Sequence, residues 1–290
     1  MSERNGKHKV PGMFYLCATP IGNLKDITLR ALECMKTADY IAVENVNRSR
    51  KLLSHYEIKT PLMVFRESNR DKKGKEILSR IQEGATIVLI TDAGLPAISD
   101  PGFSLVEMAV EEGIPFTVLP GPSAALTALL RSGYVSSRFV FWGFLSRKKK
   151  ERRDELLSIA GDDRVAVIYE APHRLLQTLQ EMEAILGERS IAVCRELTKR
   201  FEEVLKGTPG ELRSAFQEKA PRGEITLVVS PGVNAKDSLL QEDQALMHLQ
   251  NLLARGIPPG EAVRRTARNS VLKRSEAYDM MLRLQGKKQG

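Results

Sequence analysis

Small and polar residues directly follow several of the strands that the hydrophobic pattern predicts. These segments are Thr19–Leu24, Glu44–Asn47, Asp92–Pro96, Pro120–Ser123, Tyr169–Arg174 and Arg195–Lys199. In open α/β sheets a ligand binds beyond the carboxyl ends of the strands, so these segments are candidate ligand loops. Their glycines let a ligand approach the backbone, and their carboxylates accept hydrogen bonds from hydroxyl or ammonium groups. The pattern predicts a pocket for a small polar ligand.

The segment 92–102 carries the densest set of such residues, with two carboxylates, two glycines and two prolines. Ser99 or Asp100 before Pro101 also fits the plain start of a helix, and Ser123 fits the cap of the next one, and these are the alternatives to a ligand-binding role. Asp92 and Gly94 in the same loop favour a ligand-binding role for the segment as a whole.

Several common chemistries find no support in the sequence. Neither G-x-G-x-x-G nor a Walker P-loop follows any predicted strand, so the usual sequence motifs for binding NAD or ATP are absent. The four histidines have no metal-ligand spacing, and no serine or cysteine lies in a nucleophile elbow. We therefore expect no metal site and no hydrolase.

Alternating strands and helices define the fold class. In the first half, five strand candidates are separated by helical stretches, which predicts a mainly parallel sheet. These strands are Met13–Thr19, Tyr40–Val43, Leu62–Phe65, Thr86–Thr91 and Phe116–Leu119. A second series contains two strands in succession, which predicts a mixed sheet. Its strands are Phe139–Phe144, Val165–Tyr169, Ile191–Glu196, Glu203–Lys206 and Ile225–Val229. The expected architecture is α/β, with domains over 12–132 and 133–232.

The strands stop after Pro231, and residues 240–286 are predicted to form a helix–turn–helix extension broken at Gly256–Gly260. The extension is basic, and its cations are Arg255, Arg264, Arg265, Arg268, Lys273, Arg274 and Arg283. Such a run is either a solvated helical face or a surface for nucleic acid.

The composition is that of an ordinary folded protein. The chain has 290 residues, of which 42% are hydrophobic and 28% charged, and a formal net charge of +8. No apolar run approaches the roughly 18 residues that a membrane span needs, and the charged N-terminus does not fit a signal peptide. Cys17, Cys34 and Cys194 have no disulfide or metal spacing, so we expect reduced, mostly buried thiols in a cytoplasmic protein.

Eight short segments in the same order resemble the tetrapyrrole methylase superfamily and, within it, the ribosomal RNA small-subunit methyltransferase I family. They are residues 18–28, 91–94 with Pro96, 99–102, 119–122, 143–145, 169–174, 195–199 and 223–224. The resemblance implies two α/β domains with S-adenosylmethionine bound in the cleft between them, usually in a homodimer. It also implies 2′-O-methylation of a cytidine in the decoding centre of 16S rRNA, in the small ribosomal subunit.

The resemblance implies a set of cofactor-binding residues, which are Pro20, Gly22, Asp92, Ala93, Gly94, Pro96, Gly121, Ser123 and Tyr169. Methyl transfer to a ribose hydroxyl must align the reacting atoms and remove a proton. Candidates for the base or a helpful cation are Glu44, Glu170, Glu196 and Lys199. Candidates for RNA phosphate contacts are Arg174, Arg195, Arg200, Arg264, Arg265 and Arg268. For each of these charged residues the alternative is a purely structural ion pair, and this alternative applies especially to Glu196 with Arg195 or Lys199.

One loop departs from the family pattern. Where the family usually has Glu-Asp-Thr-Arg, this chain has Glu44–Asn47, with Arg48, Ser49 and Arg50 following as possible replacements. Two other functions therefore stay open, namely a related enzyme acting on a small molecule and a relative that binds cofactor or RNA without catalysis.

Overall fold

A computed structural model of the protein describes residues 12–100, 102–134, 136–218, 221–232, 242–254, 257–270 and 272–286. Its first half alternates strands and helices, as the hydrophobic pattern predicts. The strands are β1 (Phe14–Cys17), β2 (Tyr40–Val43), β3 (Leu62–Val64), β4 (Ile87–Ile90) and β5 (Phe116–Leu119). The helices are α1 (Leu29–Thr37), α2 (Val46–His55), α3 (Arg70–Gln82), α4 (Gly102–Glu111) and α5 (Ala124–Ser132).

All five strands run parallel in one sheet, in the order β3-β2-β4-β1-β5. Strand β4 is buried along its whole length because helices cover both faces of the sheet. Ile77 and Leu105 pack on one face, and Met35 and Leu53 pack on the other. The carboxyl ends of the strands consequently share one edge, where the candidate ligand loops emerge.

The second sheet is mixed, which confirms the predicted fold class. Its strands are β6 (Phe139–Phe144), β7 (Val165–Glu170), β8 (Ile191–Arg195), β9 (Glu203–Gly207) and β10 (Ile225–Val229). Its helices are α6 (Lys149–Ala160), α7 (Leu175–Leu186) and α8 (Pro209–Glu218). The strand order is β6-β7-β10-β8-β9, and only β6 and β7 are parallel.

Helix α5 joins the two sheets. The predicted boundary assigned this helix to the domain 12–132, but its buried face packs on the second sheet, where Ala128 and Leu129 share a core with Val167 and Val228. Gly133, at φ 71°, ends the helix in the left-handed conformation that glycine adopts without strain. Residues 12–160 and 164–230 consequently form one compact unit, whereas the bounds 12–132 and 133–232 stay a prediction.

The C-terminal residues form a separate unit, whose described part contains three helices, α9 (Glu242–Ala254), α10 (Pro259–Asn269) and α11 (Arg274–Gly286). The predicted helix–turn–helix is therefore wrong in its number of helices. The extra break follows Ser270, which is extended at φ −133° and ψ 170°. A core of Leu249, Val263, Ala277 and Met281 holds the helices together. Residues 240 and 241, Arg255 and Gly256 lie outside the described residues.

Two further expectations concern the described residues. None of their helices has the length and apolarity required to cross a bilayer. The three cysteines are free thiols, with Cys17 and Cys194 buried and Cys34 half-buried.

The packing of α5 on the second sheet predicts opposite results for two neighbouring leucines. Leu129 is 6% exposed and Leu130 is 68% exposed. Leu129→Ala should lower the free energy of unfolding by about 2–5 kcal/mol, because it leaves a cavity between α5 and the sheet. Leu130→Ala, the matched control, should change it by at most about 0.5 kcal/mol. Urea denaturation measures both, and equal losses would contradict this packing.

Candidate functional site

Two loops are tied together just beyond the carboxyl ends of β1 and β4. The amide of Thr19 donates to the carbonyl of Gly94 at 2.8 Å, and the amide of Gly94 donates back to Thr19 at 3.0 Å. The buried hydroxyl of Thr19 also donates to the carbonyl of Thr91 at 3.0 Å. Gly94 has φ 82°, which a residue with a side chain adopts only with strain. This pairing fixes both loops against one cavity.

The cavity has a volume of about 620 Å³, which lies in the range of small-molecule sites. Its walls come from the carboxyl edge of the first sheet, the start of α5 and loops of the second sheet. Residues from the first half are Ile21, Glu44, Arg48, Thr91–Leu95, Ile98–Asp100, Ser123 and Ala124. Residues from the second half are Phe144, Tyr169–Pro172, Leu197 and Gly223–Thr226.

One end of the cavity is acidic. Glu44, Asp92 and Asp100 all line it, and Arg48 forms a salt bridge with Asp92, with 3.0 Å between Nη1 and Oδ2. The other oxygen of Asp92, Oδ1, is buried and has no hydrogen-bond partner among the described residues. A buried carboxylate oxygen without a donor is costly, so this atom is a ready acceptor for a ligand.

Asp100 has a structural duty as well. Its Oδ1 accepts hydrogen bonds from the amides of Ala97 and Gly102, both at 2.8 Å, and thereby caps the start of α4. The predicted capping role is therefore confirmed, and the same residue also faces the cavity.

Burial raises the pKa of Glu44, and the negative charges of Asp92 and Asp100 add to that effect, while Arg48 and Arg66 oppose it. Burial also raises the pKa of Asp100, against the hydrogen bonds from Ala97 and Gly102. A carboxylate whose pKa rises towards neutrality is a better proton acceptor than an ordinary surface carboxylate.

Another part of the cavity lining is apolar. Tyr169 contacts Phe141 and Phe144 with ring centroids 5.0 and 5.6 Å apart, and it packs against the cluster that contains Ile21 and Leu197. Burial raises the pKa of Tyr169, and a hydrogen bond with the Ala125 backbone opposes this rise. The Tyr169 hydroxyl therefore stays protonated at neutral pH.

Backbone strain gathers around the cavity. Ala97 and Ser99 have φ values of 70° and 63°, and Glu196 and Thr198 have 52° and 64°. These are four of the five non-glycine residues with positive φ in the described part of the chain. Such conformations persist only where the surrounding structure enforces them, and they concentrate at functional sites.

Five of the nine predicted cofactor residues line the cavity, namely Asp92, Ala93, Gly94, Ser123 and Tyr169. Pro20 is buried beside it, and Pro96 borders a separate small void with Glu44 and Asp100. Gly22 packs on residues 197–199, where a Cβ would lie 2.7 Å from the carbonyl oxygen of Leu197. A Cβ on Gly121 would lie 2.7 Å from that of Ala18. Gly22 and Gly121 therefore allow close packing of the loops.

The predicted catalytic residues differ in how fully the protein already engages them. Glu170 also lines the cavity, but its side chain is 0% exposed. It accepts hydrogen bonds from the Thr178 hydroxyl at 2.5 Å and the Ala171 amide at 2.8 Å, and Arg174 lies 3.4 Å away. These contacts indicate a structural role at the start of α7.

Glu196 and Lys199 belong to an ion triad with Glu224. The Lys199 ammonium lies 2.9 Å from Glu196 Oε1 and 3.0 Å from Glu224 Oε2. Burial opposes the ionised forms, but the pairing prevails, so the pKa of Glu196 is lowered and that of Lys199 is raised. Lys199 therefore stays protonated at neutral pH. Glu44 is the predicted candidate whose carboxylate accepts no hydrogen bond from the described residues.

Of the predicted RNA contacts, two arginines are engaged internally. Arg174 donates to the carbonyl of Leu145, and Arg195 forms a salt bridge with Glu203 at 2.8 Å. Arg200 is exposed and lies over the ring of Phe201. Arg264 and Arg265 are exposed, and both pair with Glu261. The Arg268 side chain lies outside the described residues.

Several wall residues were absent from the sequence prediction. Phe144, the last residue of β6, is 52% exposed, and Glu224 directly precedes β10, which runs antiparallel to β8. The Gly143–Leu145 segment of the resemblance pointed to Phe144, and the Gly223–Glu224 segment pointed to Glu224. Arg48, considered as a replacement for the altered loop, does reach the cavity.

Comparisons with known proteins identify the family of the chain. The sequence profile of the family "Tetrapyrrole (Corrin/Porphyrin) Methylases" matches residues 13–213. The chain is 42% identical over 281 residues to "Ribosomal RNA small subunit methyltransferase I" of Bacillus subtilis (strain 168), covering 95% of both proteins. The chain belongs to this family of tetrapyrrole methylases.

A shorter member of the ribosomal RNA small subunit methyltransferase I family is also similar. The Thermotoga maritima protein of that name is 45% identical over 219 residues, which cover 76% of this chain and 98% of that protein. Among solved structures, uroporphyrin-III C-methyltransferase from Thermus thermophilus, complexed with S-adenosylhomocysteine, shares the fold. Its TM-score is 0.56 at 16% identity, over 76% of this chain and 97% of that one.

The charge arrangement of the cavity predicts opposite pKa changes in two variants. Asp92→Asn should lower the pKa of Glu44 because it removes a neighbouring negative charge, and Arg48→Gln should raise it because it removes a positive one. Carbon-13 NMR titration of the Glu44 carboxyl carbon measures both changes. Shifts of the same sign in the two variants would contradict the arrangement.

Proposed function

We propose that the protein is an S-adenosylmethionine-dependent rRNA methyltransferase that 2′-O-methylates the ribose of a cytidine in the decoding centre of 16S rRNA. The near full-length similarity to a ribosomal RNA small subunit methyltransferase I carries this proposal. The substrate is the rRNA, free or within the small ribosomal subunit, and the proposed location is the cytoplasm. The acidic cavity supports the cofactor part of the proposal.

The cavity fits S-adenosylmethionine in charge and in polarity. The cofactor carries an ammonium, a sulfonium, ribose hydroxyls and an adenine. Asp92, with its unpartnered Oδ1, would accept from a hydroxyl or ammonium, and backbone groups near Gly94 and Ser123 would complete the polar contacts. The apolar wall around Leu197 and Ile21 suits the adenine. When bound, the cofactor supplies an electrophilic methyl group.

The chain itself must hold the ribose hydroxyl in line and accept its proton. Glu44 is the base that the contacts support best, since Glu170, Glu196 and Lys199 are held by internal hydrogen bonds and ion pairs. Its raised pKa also strengthens it as an acceptor.

Arg48 replaces one group that the departure at Glu44–Asn47 removes. The family pattern ends on an arginine, and here a guanidinium one residue later reaches Asp92. This contact favours an active enzyme over a binding protein without catalysis. A small-molecule methyltransferase is the remaining alternative. The solved uroporphyrin-III C-methyltransferase shares only the fold with this chain.

We also propose a homodimer, as the resemblance implies. Leu126 and Leu130 of α5 and Val118 of the edge strand β5 are exposed apolar side chains that an interface could cover.

Mapping of ribose methylation on small-subunit rRNA tests the proposed reaction. Cells that lack the gene should lose one 2′-O-methyl group from a decoding-centre cytidine, and purified protein with S-adenosylmethionine should restore it. An unchanged methylation pattern, together with transfer to a tetrapyrrole, would favour the small-molecule alternative.

Two variants should separate cofactor binding from chemistry. Asp92→Asn should raise the Kd for S-adenosylmethionine about ten- to a hundredfold, because a charge-assisted hydrogen bond is worth about 1.5–3 kcal/mol. Glu44→Gln should lower kcat about 100- to 10,000-fold with little change in that Kd, because it removes the base. Calorimetry gives the Kd and single-turnover assays give the rate. Glu170→Gln is the control for a carboxylate with a structural role, and a larger rate loss there than at Glu44 would transfer the role of base to Glu170.

A further inference from the structure

Four exposed cations surround the start of α6, immediately after the cavity strand β6. They are Arg147, Lys149, Lys150 and Arg153, and none forms a salt bridge within the described part of the chain. Of the three acids beside them, two are engaged, and the third, Asp154, is exposed. Glu151 accepts from Lys148 and from the Ser146 hydroxyl, and Glu155 accepts from the Ser146 amide. The four cations, which we call the α6 patch, present an excess of positive charge to solvent.

The position of the α6 patch opposes the electrostatics of the helix. The N-terminus of a helix carries partial positive charge, so acidic residues stabilise it and cations destabilise it. Lys149 and Lys150 are the first two residues of α6. Helix stability therefore does not account for them, whereas an anionic partner would.

One buried and one half-buried arginine, Arg152 and Arg174, hold the loop that carries the α6 patch. Arg152 is 4% exposed and binds both carboxylate oxygens of Glu181 at 2.7 and 2.6 Å. Its Nη1 also donates to the carbonyls of Ser146 and Arg147, both at 3.1 Å. Arg174 donates to the carbonyl of Leu145 at 2.9 Å. The carbonyls of three consecutive residues, 145–147, are thus hydrogen-bonded, so the backbone of the loop is held in place.

The α6 patch also lies close to the cavity. Phe144 lines the cavity, and Lys149 follows it by five residues, so their Cα atoms are at most about 18 Å apart. Phe144 is 52% exposed, so part of this aromatic residue is open to solvent. Aromatic faces beside cationic side chains are the usual contacts of single-stranded RNA.

We propose that the α6 patch binds the phosphates of the rRNA strand next to the target ribose. The inference rests on the proposed function, because a ribose that enters the cavity leaves its flanking phosphates outside the rim. The Thermotoga maritima relative is shorter, since 219 aligned residues, which are 76% of this chain, span 98% of it. The α6 patch would act in addition to the basic C-terminal helices.

The test compares Lys149→Glu/Lys150→Glu with Lys36→Glu/Lys59→Glu. The control lysines are also exposed, but they lie near the amino ends of β2 and β3, at the edge of the first sheet opposite the cavity. Substrates are unmethylated small subunits and transcribed 16S rRNA fragments, at several salt concentrations. Measured quantities are KM for RNA, kcat, the Kd for S-adenosylmethionine and Tm.

For the α6 variant we expect at least a tenfold rise in KM on both substrates, with kcat and the cofactor Kd within about twofold. The slope of log KM against log salt should become shallower by about 0.7–0.9 for each phosphate that the variant no longer neutralises. Its Tm should stay the same or rise, because glutamates stabilise the N-terminus of a helix. Lys149→Arg/Lys150→Arg should keep KM at the value of the unaltered protein. The control pair should leave KM, kcat and the cofactor Kd within about twofold; its Tm should fall slightly, because Lys36 lies in the last turn of α1, where a cation is favourable.

A KM that matches the control pair would overturn the proposal and leave the α6 patch a solvated surface. A rise in KM on subunits but not on free RNA would overturn it in favour of an acidic protein partner. If the unaltered protein methylates neither substrate, the proposed function fails. Fluorescence anisotropy of the same fragments then decides RNA binding by the α6 patch independently, and equal affinities for the two double variants would overturn it.

Discussion

The cavity depends on two backbone hydrogen bonds between Thr19 and Gly94. Strands β1 and β4 are neighbours in the parallel sheet, and their chains would separate where the strands end. The reciprocal bonds of 2.8 and 3.0 Å hold the two loops together beyond that point. Ile21 and Asp92 consequently reach the same cavity. A side chain at Gly94 would disturb this pairing through the positive φ of the residue rather than through lack of space.

The charges of the protein are separated in a way that suits two kinds of ligand. The chain as a whole is basic, yet its cavity collects the carboxylates of Glu44, Asp92 and Asp100, with Arg48 as their cation. An acidic cavity favours a small cation, while basic surfaces outside it attract a polyanion. The acidic cavity would therefore recognise the cofactor and the basic surfaces would recognise the RNA, so that the two ligands would not compete for the same contacts.

The strands were predictable because each is a short β-branched or apolar run followed by small and polar residues. The break between α10 and α11 was not, because neither glycine nor proline occurs between Asn269 and Arg274 to mark it. The loops that form the cavity could be predicted from the ends of the strands, but the hydrogen bonds and ion pairs of each carboxylate could not. Glu196 and Glu224 are 28 residues apart, and they share Lys199 only because β10 lies antiparallel beside β8. Spacing in the sequence contains no information on that pairing.

The altered loop after β2 shows how a departure from a family pattern can leave a site intact. Asn45 caps α2 by accepting from the amides of Asn47 and Arg48, which an aspartate would do equally well. Val46, the first residue of α2, packs half-buried against the core, where a threonine would replace one methyl group with a hydroxyl. The guanidinium that the pattern places at the fourth position is supplied by Arg48, which reaches Asp92 from the next residue.

The loop does lose one negative charge, at position 45. Glu44 already carries the repulsion of Asp92 and Asp100, so a third carboxylate beside it would raise its pKa further. The departure therefore keeps the cap and the cation while limiting the charge that accumulates around the proposed base.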